Sequence, residues 1–414
     1  MSAKLRIQLS IMMFLEFFVW GAWYVTMSTY LDHSLHASQV QIGNAYSALS
    51  IATIISPFFV GMIADRFFQA QRVLGVLHLA GGVLLFLLIR TNNPDTFFWL
   101  MLLYSLMYAP TMALSNSVAF YQMQDPGRQF PGVRVWGTIG WIATGWLIDK
   151  VFRIQPDQFA FTFKMAAVAS LALGIFSFVL PHTPPQAKNE KVTFKKILGV
   201  DALVLLKNKS YLVFFIASIL ICIPLSFYYT FTNQFLVDVG MKNVTSNMTF
   251  GQIFEAFFIL LIPFLIKRIG IKKMILLGMF AWILRFTCFA YGNAGTAVWM
   301  LFVGIILHGV CFDFFFVTGQ IYTDFKAGEK IKNAAQGLIT MATYGIGMWI
   351  GTLLSGYVSQ YFTTSDGTHL WRPTWLTPAA IAAAVLIFFL LTFREKIRSL
   401  TPSSQEAGSD TRLV

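Results

Sequence analysis

Long apolar runs, each about the length of a bilayer crossing, alternate with short polar breaks along nearly the whole chain. Twelve runs are counted, at roughly 8–30, 41–63, 73–91, 97–121, 132–152, 160–181, 210–236, 248–266, 273–291, 297–322, 333–361 and 373–393. In hydrocarbon a backbone amide finds no water, so segments of this length are expected to be helices. The longest polar break, from His182 to about Lys209, follows Pro181, includes Pro184 and Pro185, is rich in lysine, and divides six runs from six. The tail from Thr401 to Val414 is polar and reads as disordered. The pattern predicts an all-α polytopic membrane protein with twelve transmembrane helices. Its units are an N-terminal half at 1–181, a connector at 182–209, a C-terminal half at 210–396 and a tail at 397–414.

Composition agrees. Hydrophobic residues make up 57% and charged residues 12% of the 414 positions, with mean hydropathy +0.66, against roughly 25% charge in soluble domains. The formal net charge of +12 does not signal nucleic acid, because the basic residues are sorted by side. One side receives 22 of the 30 Lys and Arg, among them Lys4, Arg6, Lys191, Lys272, Lys330 and Arg398. The other receives six: Arg90, Lys150, Arg153, Lys164, Lys242 and Arg372. Arg134 and Arg285 fall inside runs. This asymmetry predicts that both termini are cytoplasmic. The first run has no small-residue cleavage site and reads as a retained span. Cys222, Cys288 and Cys311 lie in apolar runs and imply no disulfide framework. No zinc-protease, metal-spacing or phosphate-loop motif is found, so neither an enzyme nor a metal or other cofactor is expected.

Three acids lie deep in apolar runs: Glu16, Glu255 and Asp313. A charge at mid-bilayer depth costs about 2.5–3.5 kcal/mol even on the lenient insertion scale, so such acids are usually kept for a task. Transport driven by protons fits best. Coupling needs a carboxyl that gains and loses its proton as its surroundings change, and Glu255, Asp313 and Glu16 are the candidates. Helical spacing groups further polar residues: Arg134, Thr138 and Trp141 share one stripe, Gln252 and Glu255 a second, Ser226, Tyr229 and Asn233 a third, and Asp313 and Gln320 a fourth, beside Phe312. Acids, amides and aromatic planes suit a polar organic molecule with a flat ring. Structural readings stay open. Arg134 can snorkel to the surface, Glu255 can pair with a buried arginine, Asp313 can pair with Arg285, and Glu16 can serve substrate, proton or helix contact. His308, five positions from Asp313, falls on another face and reads as packing.

The halves carry a faint repeat. Pro57-Phe58-Phe59 closes run two before Gly61-Met-Ile-Ala-Asp65-Arg66 and Arg72, and Pro263-Phe264-Leu265 closes run eight before Lys267-Arg268 and Lys272-Lys273. Two parallel six-helix halves are the major facilitator architecture, and the stretch with Asp65, Arg66 and Arg72 resembles that superfamily's gating motif between helices two and three.

Longer blocks are more specific. Phe-Val-Trp20-Gly-Ala-Trp23, Phe130-Pro-Gly-Val-Arg134-Val-Trp-Gly-Thr138-Ile-Gly-Trp141, Leu198-Gly-Val-Asp201, Gln252-Ile-Phe-Glu255, Ala281-Trp-Ile-Leu-Arg285-Phe and Gly309-Val-Cys-Phe312-Asp313 occur in order over nearly the whole chain. With these blocks the chain resembles the nucleoside:proton symporters of the major facilitator superfamily, the permeases of the bacterial inner membrane. The resemblance implies proton-coupled nucleoside uptake by alternating access, by a multi-pass protein that works as a monomer. It implies a substrate site at Arg134, Thr138, Trp141, Gln252, Glu255, Phe312 and Asp313, and it favours Asp313 as the proton-linked acid. Trp141 stands where the characterised permeases have Phe, and Ser226 and Tyr229 stand where they present amides. The base preference is therefore expected to differ. A proton-coupled sugar or small glycoside permease is the alternative on the same scaffold.

Overall fold

The computed structural model describes residues 1–59, 67–185 and 200–395. Helices follow one another as α1 (Ala3–Tyr24), α2 (Met27–Leu35), α3 (Gln39–Phe59), α4 (Ala70–Leu88), α5 (Pro94–Tyr121), the single turn α6 (Pro126–Gln129), α7 (Pro131–Trp146) and α8 (Ala160–Ser177). The second series is α9 (Lys209–Asp238), α10 (Val244–Tyr291), α11 (Val298–Phe312), α12 (Thr318–Thr340), α13 (Met348–Tyr361) and α14 (Trp371–Thr392). Two of these merge crossings: α10 turns at Gly270 (φ 78°) and α12 at Gly328 (φ 61°), backbone angles that glycine adopts without a Cβ clash. Dividing them there, and reading α1 with α2, α11 with the start of α12, and the end of α12 with α13, gives twelve crossings in two sets of six. This is the expected fold class. Among the described residues there is no β-strand, only an isolated bridge between Thr363 and His369.

Three π-helical turns were not legible in the run pattern, at Leu147–Val151, Asp313–Val317 and Met341–Gly347. Each inserts a residue into a helical register. The run predicted at 8–30 is also interrupted, between α1 and α2, where Thr26 Oγ1 donates to the Ala22 and Trp23 carbonyls and meets Thr162 Oγ1 at 2.8 Å. Of the gating motif, Asp65 and Arg66 lie outside the described residues, while Arg72 is exposed in the first turn of α4.

Within the first half α1 packs on α7 and α8, and α4 on α5 and α8; within the second, α10 packs on α11 and α14, and α9 on α13 and α14. The halves meet through α3 on α13, α7 on α10 and α2 on α9. Among the described residues, every hydrogen bond and ion pair across this division lies at the end opposite Ala3 and Glu395. Thr29 Oγ1 donates to Asn233 Oδ1 at 2.7 Å, Gln39 N to Gln360 Oε1 at 3.0 Å, and Ser246 N to Asp149 Oδ2 at 2.6 Å. His369 Nε2 sits 3.7 Å from Asp32 Oδ1. Small residues bring the backbones together there. A Cβ at Gly43 would lie 3.0 Å from Gly356 Cα. The two halves are clasped at one end.

Candidate functional site

Helix α7 starts on Pro131, whose missing N–H costs nothing at a helix N-terminus. Its glycine face receives α1: a Cβ at Gly137 would stand 2.7 Å from the Phe17 ring, and one at Gly21 of α1 would stand 2.8 Å from Thr144 Oγ1. This close approach determines what the polar stripe of α7 can touch. The Arg134 guanidinium carbon lies 4.0 Å over the Phe17 ring, so it turns toward α1 and does not snorkel outward. Trp141 meets Trp20 edge-on, with centroids 5.1 Å apart at 89°. Tyr24, the last residue of α1, packs on Tyr229 of α9 with ring centroids at 5.6 Å.

Across from this wall stands the first part of α10. Gln252 borders a cleft with Gly21, Tyr24, Trp141, Thr144 and Tyr229. The cleft holds about 20 Å³, room for a single water molecule and far short of the roughly 300 Å³ or more of a ligand pocket. One turn along, the half-buried Glu255 lies within electrostatic reach of Arg134 on one side and of Asp313 on the other. The structure thus brings Arg134, Trp141, Tyr229, Gln252 and Glu255 around one seam between the halves. Thr138 is half-buried on the same stripe of α7.

Other expected members are elsewhere. Ser226 is fully buried and faces α13, with Oγ donating to the Cys222 carbonyl at 2.8 Å and lying 3.3 Å from the Met348 carbonyl. Placing it at the cleft from helical spacing is therefore corrected: α9 is buried on both sides here, and Ser226 takes the side facing α13. Asn233 belongs to the clasp. Gln320 borders a separate cavity of about 10 Å³ with Ser218, Thr340 and Thr343; the π turn after Phe312 shifts its register from that of Asp313. Phe312 is half-buried, its ring 5.8 Å from that of His308.

The three acids have three environments. Glu16 is fully buried and satisfied inside the first half: Thr111 Oγ1 donates to Oε1 at 2.7 Å, and His78 Nε2 lies 2.9 Å from Oε2. His78 Nδ1 in turn meets Ser170 Oγ at 3.0 Å, and Tyr108 donates to the Glu16 carbonyl. Glu16 ties α1, α4, α5 and α8 together and is not brought to the cleft. Asp313 opens the π turn, is fully buried, and neither carboxyl oxygen has a hydrogen-bond partner among the described residues. The salt bridge to Arg285 is not formed. Instead Arg285 lies 3.4 Å over the Tyr228 ring and shares a 3.1 Å hydrogen bond between NH1 and His308 Nδ1.

His308 departs from the packing reading. Its Nε2 lies 3.8 Å from Glu255 Oε2, which puts it between Arg285 and the cleft acid. The face that separates His308 from Asp313 is the face turned toward α10. A spacing of five residues measured that separation but not what stood opposite. The available signal was glycine: a Cβ at Gly309 would lie 2.6 Å from Glu255 N, and one at Gly251 would lie 3.2 Å from His308 Cβ. The contact needs both helices bare at that level.

The nucleoside H+ symporter family model matches residues 1–398. The chain is 43% identical over 411 residues to YegT of Escherichia coli (strain K12), covering 96% of each. It is 34% identical over 406 residues to the xanthosine permease of the same organism, covering 94% of this chain and 96% of the permease. The crystal structure of the nucleoside transporter NupG superposes with a TM-score of 0.87 at 32% identity, over 95% of this chain and all of that one. With an all-helical twelve-crossing fold, a polar seam between its halves and these likenesses over its whole length, the chain belongs to the nucleoside H+ symporter family of multi-pass membrane transporters.

Proposed function

We propose that the protein takes up nucleosides together with protons across the bacterial inner membrane, working as a monomer with both termini and the 182–209 connector in the cytoplasm. The observation that carries this reading is that Arg134 and Glu255 stand within electrostatic reach of each other across the seam, beside the rings of Trp141 and Tyr229. A ribose presents hydroxyl groups, which donate to a carboxylate and accept from a guanidinium. Such charge-assisted bonds are worth about 1.5–3 kcal/mol each. A base presents a flat face, and stacking adds about 0.5–1.5 kcal/mol beyond area burial. Thr138, Gln252 and Phe312 complete the substrate set. The names of the xanthosine permease and of NupG, both relatives over their full length, support the substrate class.

Asp313 is the proton carrier in this reading. An ionised carboxylate without a partner costs several kcal/mol in such surroundings, whereas the neutral acid does not. Its unsatisfied oxygens fit a protonated state, and Glu255, within electrostatic reach, favours keeping that proton until the surroundings change. The halves 1–181 and 210–396 are the moving units. The clasp opposite the termini closes the periplasmic side, and the seam widens from its one-water volume when a ligand enters. Asp65, Arg66 and Arg72 latch the cytoplasmic face in the alternate state. Basic residues such as Lys207, Arg268, Lys272 and Lys326, at the end of the molecule with the termini, support the orientation.

The test is uptake into vesicles under an imposed pH gradient, with uridine, adenosine, xanthosine and sucrose as parallel substrates. Concentrative uptake of at least one nucleoside, abolished by a protonophore, is expected. Accumulation of the sugar with no nucleoside transported would contradict the substrate class and leave only proton-coupled transport.

A further inference from the structure

Arg285 is fully buried and borders neither cavity; among the described residues it has no carboxylate within bonding distance, and its Nε and NH2 atoms are without hydrogen-bond partners. A buried guanidinium left this way is costly and calls for a reason. Its NH1 bonds His308 Nδ1 at 3.1 Å. A guanidinium is always protonated and can only donate, so Nδ1 must accept. The neutral imidazole then carries its single proton on Nε2, the atom that lies 3.8 Å from Glu255 Oε2. A doubly protonated ring would turn an N–H against an N–H. Tyr228 holds the arrangement flat: the Arg285 guanidinium carbon lies 3.4 Å from its centroid, and the His308 ring stacks on it at 5.0 Å and 21°.

We propose that Arg285 is a positioning residue for the substrate acid: through His308 it presents to Glu255 a neutral N–H donor and never a cation. The inference rests on the reading of Glu255 as a substrate ligand. Its consequence is that Glu255 keeps its negative charge free for the ligand. An imidazolium at 308 would form an ion pair with Glu255 and occupy it. The charged and titratable groups around His308 are few. From α10 come Arg285 and Glu255, from α9 Tyr228 and Tyr229, and from α11 itself Cys311, which also lies close to Arg285. Beyond Glu255 stand Arg134 and Asp313. Arg285 is the only cation among the described residues that touch the ring, and removing it takes away the donor that requires Nδ1 to stay unprotonated.

The experiment is nitrogen-15 NMR of histidine-labelled full-length protein, with His308→Gln assigning the resonance among the six histidines. In the intact protein His308 is expected to show an unprotonated Nδ1 and a protonated Nε2 from about pH 5.5 to about pH 8. In Arg285→Gln, where nothing obliges Nδ1 to accept, that nitrogen is expected to gain a proton toward the acid end of that range. Uridine affinity in this variant should fall at least tenfold more at the acid end than at the alkaline end. Arg285→Lys, which keeps a donor, should restore the intact pattern. A His308 that titrates in the intact protein, or that holds its proton on Nδ1, overturns the proposal, and this result does not need the Arg285 variants to fold. An affinity loss equal at both pH values overturns it as well, since that is what a merely structural arginine would give. If the NMR pattern is as expected but no nucleoside binds the intact protein, the substrate reading fails and the tautomer assignment stands.

Discussion

Glu16 and Asp313 are both fully buried carboxyl groups in apolar helices, yet the first half surrounds its acid with partners and the second half leaves its acid bare. Around Glu16 the donors come from α4 and α5, with Ser170 of α8 behind His78. All lie in one half, so in the proposed rocking of the halves the network would move as a unit and its protons need not change. Asp313 sits at a π turn within electrostatic reach of Glu255, the acid at the seam between the halves. In the proposed reading the difference separates a structural acid from a coupling one. A satisfied acid fixes structure, and an unsatisfied one near a moving boundary can exchange a proton.

The most severe break in the comparison is Asp313→Asn. This variant is expected to lose pH-gradient-driven accumulation entirely, at least a hundredfold below the intact protein, while binding nucleoside and exchanging it across the membrane. Radiolabelled uptake in the presence and absence of the gradient measures it, and undiminished accumulation would move the proton to Glu255 or Glu16. Next comes Glu255→Gln, which removes a charge-assisted partner worth about 1.5–3 kcal/mol. Uridine and adenosine affinity should fall about tenfold or more, read by calorimetry. Trp141→Ala should cost about tenfold in affinity for nucleosides and little for free ribose, because the ring supplies stacking; an equal loss for both would show that the indole only props α7 against Trp20.

The smallest effect on transport belongs to Glu16→Gln. The amide can still meet His78 and Thr111, so accumulation should stay within about threefold of the intact protein. Stability is expected to suffer instead, by about 1–3 kcal/mol for one imperfectly paired buried group, seen as a lower midpoint of thermal unfolding. Loss of coupling with unchanged stability would erase the distinction between the two halves.

Much of this was legible in the chain. Apolar runs and sorted basic residues give the twelve crossings, because lipid leaves helices no alternative. The block around Arg134 and Trp141 and the pair Gln252 and Glu255 reach the seam as their i, i+3, i+4 and i+7 spacing requires. What spacing cannot supply is the identity of the neighbour. Ser226 shares a stripe with Tyr229, but Gly351 of α13 opens room on its side, and the hydroxyl turns there to bond backbone. His78 carries no local signal, since its partner is 62 positions away. Gln320 was misplaced for another reason: a π turn changes the register, and no residue in Asp313–Val317 announces one. His308 needed the glycines of two helices to be read together.

The most direct test of the central claim is the proton flux that accompanies substrate. Vesicles holding an internal pH dye are given uridine without any imposed gradient, with the intact protein, Asp313→Asn and Glu16→Gln compared side by side. Interior acidification on substrate entry is expected for the intact protein and for Glu16→Gln, and none for Asp313→Asn although uridine still enters. Acidification that persists in Asp313→Asn and disappears in Glu16→Gln would contradict the account, because the proton would then travel with the acid that the structure shows fully partnered.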